Sequence, residues 1–235
     1  LSREERDAAA RAARLAEAFA AAEGGVDPPP SSPSEGSSPG EFTSSTKVDA
    51  VIDEVLAIVK EEVPAGEPPV KVVVYSQFIA MLDMLDDQLL SRGIRAGRIQ
   101  GDMSLRQRDE TVKDFQHHRG KGARVLLVSI KSGSMGLNLT AASRVLLIDP
   151  WWNSMYEEQG IDRCHRIGQN RDVKVKRLTI KDTVEQRILE LQAKKTALAR
   201  AALSEGALAG AGARIRLDLD DLYHLFGLQR PDGGA

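Results

Sequence analysis

Val70-Lys71-Val72-Val73-Val74-Tyr75 is a run rich in β-branched residues and too short to form a helix comparable to its neighbours. On either side the apolar period changes to that of a helix. Upstream, Val48, Val51, Ile52, Val55, Leu56 and Val59 trace a stripe that ends near Pro64. Downstream, Phe78, Leu82, Leu85 and Leu89 trace another, with Gly93 just past its end. The alternation continues. Ile94–Ile99 reads as a weaker strand, and Ser104 with Gln107 forms a capping box that opens a helix through Val112 and Phe115. Arg124–Val128 and Arg144–Ile148 are apolar through their centres. Val173–Ile180 alternates more, as an edge strand does. Asp182 with Glu185 is expected to cap a long helix carrying Val184, Ile188, Leu191 and Leu198. Strands without alternation are buried on both faces, and the helices between them supply the crossovers. The fold class is therefore α/β, an open parallel sheet flanked by helices.

The chain has 235 residues, enough for one packed domain with extensions. Residues 1–23 form an Ala-rich helical segment, and residues 24–46 a disordered linker rich in Pro, Ser and Gly. Residues 47–204 are the domain, and 205–235 a C-terminal extension with a short helix. The opening Leu1 suggests a piece of a longer protein. A net charge of −2 gives no overall basic field, one cysteine (Cys164) permits no internal disulfide, and no zinc cluster is present. No apolar run is long enough to cross a bilayer, and no secretory signal opens the chain.

Ligands gather at the carboxyl ends of the strands in such sheets, which directs attention to the residues after Val74, Val128, Ile148 and Ile180. Ser76 and Gln77 follow the first strand, where hydroxyl, amide and backbone N–H groups take a phosphate, or where Ser76 serves as an N-cap. Ser129-Ile130-Lys131-Ser132-Gly133-Ser134-Met135-Gly136-Leu137-Asn138 follows the third. Its glycines, hydroxyls and lysine allow an anion to approach the backbone, although the Gly-Lys-Ser/Thr spacing of a nucleotide phosphate loop is missing. Asp149-Pro150-Trp151-Trp152-Asn153 follows the fourth, its tryptophans open to packing or to stacking on nucleic acid.

Beyond it, Ser154 and Glu157 read as a capping box for a helix that Gly168 ends. On that helix Gln159, Arg163 and Arg166 share one face at i, i+4 and i+7. Guanidiniums fork onto phosphate oxygens and stabilise charge developing in phosphoryl transfer, but a solvated helix face has the same spacing. Arg163, Arg166, Arg171, Lys174, Lys176 and Arg177 make a local basic stretch suited to phosphate, some of which would only solvate an edge strand. Asp162 is expected to pair with a neighbouring cation, His165 to be packed or hydrogen-bonded, and Cys164 to be a small buried apolar residue.

In order, Ser76-Gln77-Phe78, the Lys131–Leu139 segment, Asp149–Asn153 and Gln159–Gln169 resemble the motifs of the Swi/Snf-type DNA-translocating ATPases of helicase superfamily two. The resemblance covers Thr46 to Ser204 and implies the C-terminal of two RecA-like lobes. Ala141–Val145 and Asp221–Phe226 are similar to the RING-containing DNA-repair branch. The resemblance implies ATP with Mg²⁺, bound mainly by an N-terminal lobe that carries the Walker A and acidic motifs and is missing here, so that this chain alone would be inactive. It gives Arg163, Arg166 and Gln159 catalytic roles, with Arg166 as the arginine finger. It puts Gly136 and Asn138, with both arginines, on the nucleotide. It puts Ser76, Gln77, Lys131, Ser132, Gly133 and Trp152 on duplex DNA. The implied partners are double-stranded DNA, the N-terminal lobe of the same enzyme and chromatin or repair proteins, in the nucleus. A non-catalytic interaction module and a strand-separating helicase are the alternatives. Against the family pattern, Ser132 and Ser134 stand where Ala and Gly are common, and Ser154 replaces a frequent proline. Gly160 replaces a common alanine, at a helix cost of about 1 kcal/mol.

Overall fold

The computed structural model describes residues 44–117, 122–133, 136–204, 221, 224 and 225. The expected N-terminal helix and nearly all of the linker lie outside the described residues. Five parallel strands form one sheet in the order β2-β3-β1-β4-β5: β1 (Val72–Ser76), β2 (Ala96–Ile99), β3 (Val125–Ser129), β4 (Arg144–Leu147) and β5 (Lys174–Arg177). The helices are α1 (Thr46–Val59), α2 (Ile79–Ser91), α3 (Leu105–His117), the single turn α4 (Ile130–Gly133), α5 (Ser154–Asp162) and α6 (Val184–Ser204).

The missing alternation of the opening stretch has the expected cause. Val72 and Val74 point into one core with Val51, Val55, Leu82, Leu85, Val125 and Leu146. Val73 and Tyr75 point into a second core with Phe115, Leu126, Val128, Leu139, Val145 and Cys164. Two predicted boundaries are met closely. Gly93 lies at φ 74° just beyond α2. At α3, Ser104 N–H donates to Gln107 Oε1 (2.9 Å) while Gln107 N–H donates to Ser104 Oγ (3.3 Å), a reciprocal capping box.

The last third departs from expectation. All four residues of β5 are exposed, so it lies at the edge without the expected alternation. Thr183 Oγ1, not Asp182, accepts from Glu185 N–H at the start of α6 (3.3 Å), while the Glu185 carboxylate accepts from Ile180 N–H (2.9 Å). Ser44–Lys194 forms one compact unit, and the residues from Lys195 belong to a second, where Lys195 pairs with Asp221 (2.7 Å). Among the described residues no helix is long and apolar enough to cross a membrane.

Candidate functional site

At the carboxyl edge of the sheet, β1 ends on Ser76, whose side chain is fully buried. Its hydroxyl donates to Asp149 Oδ2 and accepts from Phe78 N–H (3.0 Å). Ser76 is not the cap of α2. Phe78 holds that position and has no side-chain capping bond. A hydroxyl committed to Asp149 acts on a ligand only by fixing the backbone that leads to the half-buried Gln77. Asp149 also accepts from Lys47 Nζ (3.2 Å), and Lys47 reaches Glu185 as well. Burial of these charges is tolerated because each has an opposite partner.

The segment after β3 forms the short turn α4. Ser132 is buried and its Oγ accepts from Ser129 Oγ (2.8 Å), so this hydroxyl too serves the loop's own shape. Lys131 is half-buried, its ammonium 6.0 Å from the ring centre of Trp151. Gly133 closes the turn, and Gly136 follows at φ 56°, a left-handed conformation that favours glycine. Asn138 is exposed, and its Oδ1 accepts from Thr140 N–H (3.3 Å). Trp151 and Trp152 are both buried with ring centres 6.4 Å apart, which favours packing over stacking on a strand.

The arginine segment differs most from the spacing argument. Asn153, not Ser154, caps α5, its Oδ1 accepting from Met155 N–H (3.1 Å). Glu157 does not complete a capping box; its Oε1 accepts from Trp151 N–H (2.9 Å). The helix stops at Asp162 with Arg163 as its C-cap, so Gly168, at φ 102°, does not end it. Gln159, Arg163 and Arg166 therefore do not share one helical face. The break comes at the Gly160 carbonyl, which accepts from Tyr75 OH (3.0 Å) while Cys164 N–H turns to Ile161 O (2.9 Å), and the next free carbonyls are taken from outside the helix. Arg163 O accepts from Leu139 N–H (2.9 Å), and Cys164 O from Gln169 Nε2 (3.1 Å). The same Gln169 amide lies 3.0 Å from Thr140 O and 2.7 Å from Ala142 O. The turn holding the half-buried Arg163 and the exposed Arg166 is thereby tied to the loop holding Gly136 and Asn138. Gln159 stays on α5, half-buried.

Burial pushes the Cys164 thiol up to about 12, so it is protonated at neutral pH and inert. His165 is exposed, not packed, and no ion pair joins Asp162 to a cation among the described residues. The basic stretch is partly neutralised: Arg171 pairs with Glu67 (2.7 Å), Lys176 with Glu54 (2.5 Å) and Arg177 with Glu157 (2.9 Å). These three cations are thus engaged within the lobe. Among the described residues no three His, Cys, Asp or Glu side chains form a metal-binding group.

Gly160 has a reason that its helix propensity does not suggest. Tyr75 OH donates to Gly160 O (3.0 Å), and a Cβ at Gly160 would stand 3.2 Å from Tyr75 Cζ. The ring is fully buried and has little room to move. Overpacking of this kind costs about 1–3 kcal/mol, against about 1 kcal/mol of helix propensity gained. Gly160→Ala should therefore lower the denaturant midpoint of the chain at unchanged m-value. A raised midpoint would show that the ring yields.

Sequence reasoning passed over several residues. Arg108, buried on α3, donates to Gln100 O (3.1 Å) and Gly101 O (2.6 Å). It holds the loop after β2, where a Cβ on Gly101 would stand 4.0 Å from Ser132 Oγ. The buried Lys47 and Gln192 are likewise unmarked in the sequence, and Glu157 reads there only as half of a capping box. A polar residue in a helical stripe is the local sign that they carry.

The parallel sheet and the loops joined along its carboxyl edge define a RecA-like lobe of the helicase type. Residues 47–168 match the family model described as the helicase conserved C-terminal domain, and the chain belongs to that family. It is 46% identical over 157 residues to helicase-like transcription factor CHR27 of Arabidopsis thaliana, covering 67% of this chain and 15% of that protein. It is 41% identical over 192 residues to DNA repair protein RAD5 of Cryptococcus neoformans, covering 82% and 15%. The second relative is named as a DNA repair protein, in line with the branch that Ala141–Val145 and Asp221–Phe226 resemble. The C-terminal part of the Fun30 ATPase domain superposes with a TM-score of 0.57 at 28% identity, over 63% of this chain and 45% of that one. The chain spans about 15% of the length of these two curated relatives.

Proposed function

We propose that this lobe is the C-terminal half of a two-lobe ATPase motor that translocates on duplex DNA in repair or chromatin remodelling. The observation that carries the reading is the tie between the arginine turn and the glycine loop, through Leu139 N–H to Arg163 O and the Gln169 amide. It joins the turn that carries Arg163 and Arg166 to the segment that follows Gly136 and Asn138.

In this reading Arg166 reaches across to the triphosphate as the arginine finger. Arg163 assists from the turn, and Gln159 orients groups between the lobes. Gly136 and Asn138 line the nucleotide side. The exposure of Arg166 and the left-handed backbone of Gly136 fit a phosphate chain arriving from outside the lobe. Magnesium, when bound, neutralises charge on the β- and γ-phosphates. It would be held from the N-terminal lobe, which also supplies the Walker A lysine, so the chain by itself would not hydrolyse ATP.

Lys131, Gln77 and the backbone at Gly133 face DNA phosphates. Ser76, Ser132 and Trp152, being buried, serve that surface by shaping it. Lobe closure around ATP and reopening after hydrolysis would move this grip along the duplex. A nuclear location goes with the reading, as do partners among chromatin or repair proteins.

The test uses the complete two-lobe enzyme. Lys131→Ala should raise the DNA concentration needed for half-maximal ATPase stimulation. It should also flatten the log–log salt dependence of DNA binding by about 0.9, one phosphate contact. An unchanged salt slope would take Lys131 off the DNA face. Hydrolysis that does not respond to duplex DNA at all would sink the motor reading.

A further inference from the structure

Glu157 has no part in that account, yet it is fully buried with both oxygens engaged. Oε1 accepts from Trp151 N–H and from Gln192 Nε2, each at 2.9 Å, and Oε2 accepts from Arg177 Nε at 2.9 Å. Gln192 Nε2 also donates to Trp151 O. The peptide groups on both sides of Trp151 are thus fixed by one carboxylate–amide pair. The indole is held further by Tyr156, edge-on at 6.0 Å, and by Trp152. On its face stands the Lys131 ammonium, 6.0 Å from the ring centre, where the negative face of the ring attracts a cation. Charge on edge strand β5 is linked in this way to a lysine on the turn after β3.

We propose that Glu157 is a positioning residue that, by fixing Trp151, sets where the Lys131 ammonium stands and so how strongly duplex DNA is coupled to turnover. The proposal rests on the reading of Lys131 as a DNA-phosphate contact. A role confined to folding would lower the amount of active enzyme without moving the DNA dependence. A positioning role moves the DNA dependence itself.

The experiment measures ATPase activity of the complete enzyme against duplex DNA concentration, with soluble, folded variants compared at equal active concentration. Glu157→Gln should raise half-saturating DNA about three- to tenfold, the span of one lost cation–π contact. Turnover at saturating DNA should stay within about twofold of the parent, marking a lost ground-state contact. In a Lys131→Ala background the same change should add nothing further. Trp151→Phe keeps an aromatic face and should stay near the parent, whereas Trp151→Leu should behave like Glu157→Gln.

A fall in saturated turnover with half-saturation unmoved overturns the proposal, as does an effect undiminished in the Lys131→Ala background. Should Glu157→Gln not fold, the two Trp151 variants decide, and equal behaviour of Phe and Leu overturns the link. If Lys131→Ala alone leaves half-saturation unchanged, the DNA reading of Lys131 has failed and the proposal falls with it. If Lys131→Ala shifts it and Glu157→Gln does not, only the positioning role is lost.

Discussion

Arg166→Ala in the two-lobe enzyme should lower DNA-stimulated ATP turnover on the order of 10³-fold or more, the scale of an arginine finger and equivalent to about 4 kcal/mol of transition-state stabilisation. The side chain is exposed, while the turn beneath it is held by the Arg163 and Cys164 carbonyl contacts. Its removal therefore takes away a guanidinium with little disturbance to packing. Nucleotide affinity should change far less than turnover, because the proposed motor leaves most ground-state contacts to ATP to the other lobe. Arg166→Lys should recover only part of the loss, since an ammonium keeps the charge without the planar fork. Single-turnover hydrolysis at saturating ATP and DNA separates these cases. Near-parental turnover in Arg166→Ala would end the assignment.

The framework was legible because it is written in local periods. Val72–Tyr75 is apolar on both faces, and both faces are packed. Ser104 and Gln107 cap α3 reciprocally because the bonding groups lie within one turn. Three of the four motifs follow strands, β1, β3 and β4, whose carboxyl ends lie on the same edge of the parallel sheet, and the fourth lies on α5 and the turn after it.

The fine geometry of the arginine segment was not legible, for an equally physical reason. Spacing assumes that a helix continues until a residue forbids it, and nothing between Arg163 and Ile167 does. What stops α5 at Asp162 is the Tyr75 hydroxyl on the Gly160 carbonyl, and Leu139 N–H and the Gln169 amide then hold the carbonyls of Arg163 and Cys164. Asn153 and Ser154 are both able to cap, and the choice turns on Glu157, drawn away to Trp151, Gln192 and Arg177. The basic stretch misled in the same manner, because Glu54 and Glu67 come from well upstream in the chain. Partners distant in sequence leave no mark on a local pattern.

Asp149→Ala is expected to be the most damaging single change to the stability of the lobe, at about 3 kcal/mol, the lower end of the 3–5 kcal/mol for breaking a buried ion pair. The carboxylate is buried between Lys47 and the Ser76 hydroxyl, and its loss strands an ammonium that is itself buried. Glu185 remains on Lys47, which keeps the cost from the upper end. Against a typical domain stability of about 5–15 kcal/mol, such a loss should shift the denaturant midpoint clearly at constant m-value. Asp149→Asn keeps an acceptor for Ser76 but not the charge, and should fall between. The double variant Lys47→Met/Asp149→Leu removes this buried pair and should recover part of the loss, since apolar replacement of a buried pair is often neutral while the partly exposed Glu185 loses its Lys47 contact. A single-variant loss under about 0.5 kcal/mol, the scale of an ordinary surface change, would mean that water reaches Lys47 and the pair is not the clasp described. If the double variant is stable but responds poorly to DNA, the pair's importance lies in aiming Ser76 and Gln77. A buried charge is weak evidence of stability by itself, and this comparison separates holding the edge together from holding it in the right shape.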